Sequence, residues 1–402
     1  MVNEFAKYWS LEPGLDFLNH GSFGACPRLV LEAQTELRAR MEAQPLQFFA
    51  RDLEGLLDEA RAALAAFVGA DPDDLALLPN ATTGVNTVLR SLELQAGDEI
   101  ITTDHVYNSC RNALRWQEER GVKVLYAHVP WPIAGPWQVI EPVMEAVSAR
   151  TRLLLIDHVT SPTGLVFPVG ELVRRLSERG VDTLVDGAHA PGMLSLDLRS
   201  LGAAYYTGNC HKWLCTPKGS AFLHVRRDRQ DRIPPLAHGH GLNSRRTDRG
   251  AFRLQNDWIG TDDPTAFLCI PVALKFFASL LPWTEIMARN HELAVAGRRV
   301  LLEALRVPAP APEFMLGSLA AVPLPDAEVA VPRDGIFWHP LQKQLLQKHR
   351  IEVPVMLFPA PPRQLVRIAA QLYNSVEQFQ RLGAALLAEG AWEPRRGPSA
   401  AR

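Results

Sequence analysis

Two apolar runs near the middle of the chain each end in an acid: Leu153-Leu154-Leu155-Ile156-Asp157 and Asp182-Thr183-Leu184-Val185-Asp186. Short unbroken apolar runs of this kind suit strands buried on both faces. Between them, the segment 168–180 sets Val169, Leu172, Val173 and Leu176 against Arg174, Arg175, Glu178 and Arg179, so the spacing predicts an amphipathic helix. Strand, helix and strand at this length make a βαβ crossover and hence a parallel sheet. Leu75 to Pro79, Glu99 to Thr102 and Ala221 to Val225 read as further strands. Helices are predicted over 28–40, 53–68 and 283–305, the last marked by Ile286, Leu293, Val300 and Leu301. Prolines from Pro308 to Pro312 and from Pro323 to Pro332 predict a loop-rich stretch after it. The expected class is α/β. An arm (1–25) precedes a large domain (26–282), a smaller domain (283–390) and a tail (391–402) whose Arg, Pro and Gly content predicts disorder.

Composition narrows the setting. The 402 residues, 47% hydrophobic, suffice for a large core in two domains. A net charge of −2 leaves no electrostatic footprint for nucleic acid or a membrane surface. No apolar stretch approaches the roughly 20 residues that span a bilayer. Met1 to Phe5 lack the basic start of a secretory signal. Five cysteines without paired spacing suit a reducing compartment, and a cytoplasmic protein is expected. Cys210-His211 with Cys215 has the wrong spacing for zinc, and no metal is expected.

The chemistry concentrates after the second acidic strand. Asp186 closes an apolar run, and Lys212 follows in the polar segment Thr207-Gly208-Asn209-Cys210-His211-Lys212-Trp213. A pyridine-based cofactor needs an acid to keep its ring nitrogen protonated and a primary amine to form a Schiff base with its aldehyde. In parallel sheets, such groups gather at the carboxyl ends of strands. Asp186 alone reads equally well as a cap or turn residue. Upstream, Asn80-Ala81-Thr82-Thr83-Gly84 opens a helical run, and small hydroxyl residues at a helix start can bind phosphate, although singly they read as caps. Together the three features point to pyridoxal 5'-phosphate (PLP). Lys218 is a rival amine, but Pro217-Lys218-Gly219-Ser220 reads as a turn. No G-x-G-x-x-G follows a strand, which argues against a dinucleotide enzyme.

These segments, with Leu18-Asn19-His20-Gly21-Ser22-Phe23-Gly24, Thr103-Asp104-His105-Val106-Tyr107, His158-Val159-Thr160-Ser161-Pro162-Thr163-Gly164, Gly260-Thr261-Asp262 and Val366-Arg367-Ile368-Ala369, run in the order of a known family. The chain resembles the class V aminotransferases among the fold-type I PLP enzymes, and within them the isopenicillin N epimerase-like branch. The resemblance implies a mainly parallel seven-stranded sheet between helices, with a smaller α+β domain at the C-terminus. It implies that Lys212 holds the cofactor and moves protons at the substrate Cα. Asp186 would pair with the ring nitrogen, and His189 and Ser161 would lie near the phenolic oxygen. Thr82, Thr83, Asn209 and His211 would contact the phosphate. Thr261 would reach the phosphate of a neighbouring subunit, which makes a homodimer with shared sites the expected assembly. Arg367, with Asn19, His20 and Gly21, would meet the substrate. Tyr107, or alternatively His105, would stack on the ring.

The reaction stays open at this stage. The branch points first to an amino-acid epimerase; a lyase that expels sulfur from Cβ and a transaminase are the alternatives. A scaffold that has lost catalysis is disfavoured by Lys212, Asp186 and Arg367 occurring together. The segment 350–358 holds no cysteine, and Cys269 is the last in the chain, which argues against a persulfide relay. Arg245, Arg246, Arg249 and Arg253 read either as a solvated loop or as a site for an acidic substrate side chain.

Overall fold

In the computed structural model, which describes residues 3–327 and 339–390, seven strands make one sheet. They are β1 (Leu75–Leu78), β2 (Glu99–Thr103), β3 (Lys123–Ala127), β4 (Thr151–Asp157), β5 (Asp182–Asp186), β6 (Tyr205–Asn209) and β7 (Ala221–Val225). The spatial order is β1-β7-β6-β5-β4-β2-β3, and β7 alone runs against its neighbours. The apolar runs are unbroken because both sheet faces are covered. Leu154 and Ile156 of β4 enter one core with Val185 of β5, while Leu153 and Leu155 enter a second core with Leu184. Alternate side chains of one strand thus feed opposite cores.

Helices cover the faces: α1 (Arg28–Ala43), α2 (Leu53–Val68), α3 (Ala81–Ser91), α4 (Asn108–Glu118) and α5 (Val169–Ser177). The boundaries predicted for α2 are those observed. The first helix runs on to Ala43 because Met41 is buried and rewards another turn. The crossover helix α5 is shorter than the predicted 168–180; Gly180, with φ of 71°, turns the chain toward β5.

Beyond the large sheet, α6 (Trp283–Leu305) spans the predicted segment. It packs with an antiparallel three-stranded sheet of β8 (Leu319–Leu324), β9 (Val355–Leu357) and β10 (Gln364–Ala369), in the order β9-β10-β8. Two further helices, α7 (Pro340–His349) and α8 (Val376–Ala388), complete this part. The N-terminal arm joins it directly: Asp16–Phe17 pair in parallel with Ile351–Glu352. Phe5 and Trp9 bury against Phe276, Phe277 and Tyr373. No single described helix is long and apolar enough to cross a bilayer. The expected disordered tail (391–402), and Pro332 of the proline-rich stretch, lie outside the described residues.

Candidate active site

The carboxyl ends of β1, β2, β4, β5 and β6 deliver the chemistry. Asp157 and Asp186 are register partners at the ends of β4 and β5. Both are buried. Burial, and then the charge of Asp186, pushes the Asp157 carboxyl well up; burial also raises Asp186.

Lys212 sits in the turn after β6, with Nζ 3.2 Å from His189 Nε2. The other ring nitrogen, Nδ1, accepts from Trp213 Nε1 at 3.4 Å. An indole N–H can only donate, so the His189 proton lies on Nε2 and points at Lys212 Nζ. That geometry requires a neutral amine. Burial, followed by the positive charge of Arg367, lowers Lys212 to about 7, and burial drives His189 well below its ordinary value. The turn closes at Cys215, whose φ of 55° is left-handed for a residue with a Cβ and costs about 1–2 kcal/mol. Gly24 (φ 72°) lies against the backbone of His211, where a side chain would collide with the carbonyl.

His20 and Gly21, expected at the substrate, are placed elsewhere. His20 is fully buried beneath the lysine turn, with Nε2 on the Lys212 carbonyl at 3.0 Å and Nδ1 against the Tyr373 hydroxyl at 2.8 Å. Gly21 packs on Leu319. His20 supports the turn, and Gly21 leaves room for Leu319 of the small sheet. Asn19 donates to Glu352 Oε1 at 3.3 Å and accepts from the Ser22 hydroxyl.

Arg367 lies on β10, buried, with no carboxylate partner among the described residues. Nη1 donates to the carbonyl and hydroxyl of Ser161, and Nη2 donates to Ser22 Oγ at 3.1 Å. Nε has no partner among the described residues. Burial lowers the guanidinium to about 10.

At the start of α3, Asn80 caps the Thr83 N–H at 2.9 Å and accepts its hydroxyl at 3.1 Å. Asn209 Oδ1 accepts the Ala81 N–H at 2.8 Å. Thr82 keeps both N–H and hydroxyl unengaged among the described residues. Gly84 lets α3 approach Thr207 of β6 more closely than any side chain would allow. His211 donates from Nδ1 to the Ser220 carbonyl at 2.8 Å, which leaves Nε2 facing outward from that bond.

The two candidates for the ring's flat neighbour differ sharply. His105 is buried, its nitrogens taken by Thr163 Oγ1 (3.0 Å) and the Val129 carbonyl (3.1 Å), its ring packed on Phe167 and Phe358. Tyr107 is 41% exposed, and its phenol opposes the lowering of Arg367. Thr261 is exposed at the surface of the chain. The arginine stretch pairs with acids: Arg246 with Glu54 and Asp248, Arg249 with Asp58, and Arg253 with Asp58, Asp73 and Asp257. These pairs match the charges within the protein; Arg245 and Arg246 stay exposed, whereas Arg253 is buried in the helix Ala251–Asp257 and not in a solvated loop.

Two functional neighbours escaped the sequence reading of the site: Ser22 and Cys110. Ser22 belongs to the glycine-rich segment and so left a signal, while Asp157, which ends an apolar strand, was picked out beside Asp186. Cys110, whose thiol lies 3.2 Å from Asp186 Oδ2, left none.

The model of the aminotransferase class-V family matches residues 24–328. The chain belongs to the class V aminotransferase family. It is accordingly a PLP-dependent enzyme of that family. It is 36% identical over 398 residues to the isopenicillin N epimerase of Streptomyces clavuligerus, covering 94% of this chain and 95% of that protein. The identity to the isopenicillin N epimerase of Amycolatopsis lactamdurans is 37% over 397 residues, covering 94% and 96%. An L-cysteine desulfhydrase of Arabidopsis thaliana is 29% identical, covering 94% and 88%. Among solved structures, the cystine C–S lyase C-DES with its product cysteine persulfide superposes with a TM-score of 0.76 at 23% identity, covering 93% of this chain and 97% of that one. This class V enzyme therefore shares the fold-type I architecture with lyases and its sequence most fully, of these three relatives, with the epimerases.

Proposed function

We propose that this class V enzyme inverts the Cα configuration of an amino acid or amino-acid-derived substrate, as an isopenicillin N epimerase-like epimerase. The observation that carries this is the 36–37% identity to two such epimerases over 94% of the chain. The site chemistry is compatible with it. The residues fit PLP: Thr82 offers two unused donors for a phosphate, Asp186 a buried carboxyl for the ring nitrogen, and Lys212 a neutral amine. Bound there, PLP supplies the electron sink for the bond that breaks at Cα.

The chain's own groups do the rest. Lys212, about half in its neutral form at pH 7, exchanges the Cα proton on its own face, and inversion needs a second acid or base on the opposite face. His189 Nε2–H orients that amine and, with Ser161, lies toward the phenolic oxygen. Arg367 exchanges its serine contacts for the substrate carboxylate, a task suited to a planar fork. Tyr107 covers the ring, whereas His105 stays committed to Thr163 and Val129. Thr82, Thr83, Asn209 and His211 hold the phosphate. The assembly proposed is a cytoplasmic homodimer in which Thr261 completes the partner's phosphate site.

A C–S lyase is the second reading, supported by the desulfhydrase relative and the C-DES fold. Incubating the holoenzyme with L-amino acids and peptides bearing a free α-amino acid in deuterated water separates the two. Exchange at Cα with inversion and no keto acid supports the epimerase. Release of pyruvate, ammonia and a sulfur fragment replaces it with the lyase, and keto acid formed only with an added acceptor replaces it with a transaminase.

A further inference from the structure

Asp186 is held at both oxygens by this chain alone. Oδ1 accepts the Ala188 N–H at 3.0 Å, and Oδ2 accepts the Cys110 thiol at 3.2 Å. Cys110 stands in the first turn of α4, the helix after β2, so the contact joins two separate elements. It is 2% exposed. Asp157 lies alongside on β4, its Oδ2 buried and without a partner among the described residues. Lys212 faces the pair from the turn after β6, and the neutral phenol of Tyr206 faces it from β6 itself.

Two buried carboxyls side by side resist ionising together. Asp157 is the more strongly raised, by burial and then by Asp186. Asp186 is raised by burial but drawn back by the Ala188 N–H, the Cys110 thiol and Lys212. Burial and both carboxyls keep the thiol protonated. Its only hydrogen-bonding role toward Oδ2 is therefore that of donor.

We propose that Cys110 is a positioning residue for Asp186: its S–H holds Oδ2 and keeps negative charge on the carboxylate that faces the ring nitrogen of PLP. This rests on the reading of Asp186 as the ring's acid. The effect has a sign. A donor to the carboxylate weakens its affinity for a proton, so the shared proton stays on the ring nitrogen. Without that donor the proton moves toward Asp186, and the ring becomes a poorer electron sink. Serine at this position donates more strongly than a thiol and keeps the proton on the ring.

The test reconstitutes wild type, Cys110→Ala, Cys110→Ser and Asp186→Asn with PLP labelled with nitrogen-15 in the ring, and reads the ring-nitrogen chemical shift. Wild type and Cys110→Ser should show the protonated position, and Asp186→Asn the unprotonated one. Cys110→Ala should be displaced toward Asp186→Asn, with the PLP dissociation constant raised about 3- to 10-fold. Equal displacement in the Ala and Ser variants would mean that packing, not donation, is at work, and would overturn the proposal. A wild-type shift in Cys110→Ala beside a displaced Asp186→Asn overturns the role of Cys110 and leaves that of Asp186 intact. An unchanged shift in Asp186→Asn removes the underlying reading, and the proposal with it.

Discussion

Arg246, Arg249 and Arg253 are built in the opposite way to Arg367 and Lys212. In the first group every guanidinium meets carboxylates: Arg249 forms two bonds of 2.7 Å to Asp58, and Arg253 bonds Asp73 at 2.8 Å and Asp257 at 3.2 Å. Burial alone would lower Arg253, yet Asp257, Asp73 and Asp58 outweigh it and hold it above its ordinary value. In the second group no carboxylate among the described residues forms an ion pair. Arg367 rests on serine hydroxyls and a carbonyl, and Lys212 on a neutral imidazole, so burial prevails and both are lowered. Charge already matched within the protein stabilises the fold. Charge left unmatched in a buried place is available to the anions of a ligand, and the unpartnered Nε of Arg367 marks that vacancy in its bonding.

Replacing Lys212 breaks the second group outright. Lys212→Ala should lose activity by a factor on the order of 10⁴ or more and form no borohydride-sensitive visible band with added PLP. Retained activity would remove the lysine from the chemistry. A neutral amine at Lys212 also sets a pH dependence. Its pKa is lowered from the ordinary lysine range to about 7, so the reactive form is lost as pH falls below 7 and is nearly complete above 8. The rate of PLP uptake by the apo-protein should rise about 50-fold from pH 5 to pH 7, about 2-fold more by pH 9, and then flatten. A rise continuing beyond pH 9 would show that burial does not control the amine.

Arg367→Ala sharpens the contrast within the site. Loss of a charged fork for the substrate carboxylate should lower kcat/KM about 10- to 100-fold. Because the Arg367 charge also depresses Lys212, the midpoint of the uptake profile should move to higher pH in the same variant. An unchanged midpoint would mean that the two cations do not sense one another.

How much of this was legible depends on the range of the interactions involved. Asp157 and Asp186 were visible because each ends an apolar run, and α2 and α6 kept their predicted bounds because local periodicity governs them. His20 was misplaced because its role depends on Tyr373 and on the Lys212 carbonyl, both remote in sequence. Tyr107 and His105, two residues apart in one turn, separated only when packing buried one of them. Cys110 carried no signal, since nothing in its own helix points to Asp186.

The smallest expected effects lie in the arginine cluster, and they test its structural nature. Arg253 is nearly buried, and its removal strips a partner from Asp58, Asp73 and Asp257, although Arg61 still holds Asp257. Arg253→Ala should therefore cost about 1–3 kcal/mol in a denaturant titration, part of it screened by the exposure of Asp58 and Asp73, with kcat unchanged. Arg246 offers the control. It bonds Glu54 and Asp248 at the surface, where solvent competes for all three groups, so Arg246→Ala should leave both the unfolding midpoint and kcat/KM where they were. A fall in kcat/KM toward acidic substrates in either variant, with stability intact, would move these arginines into the substrate site and erase the distinction between matched and unmatched charge.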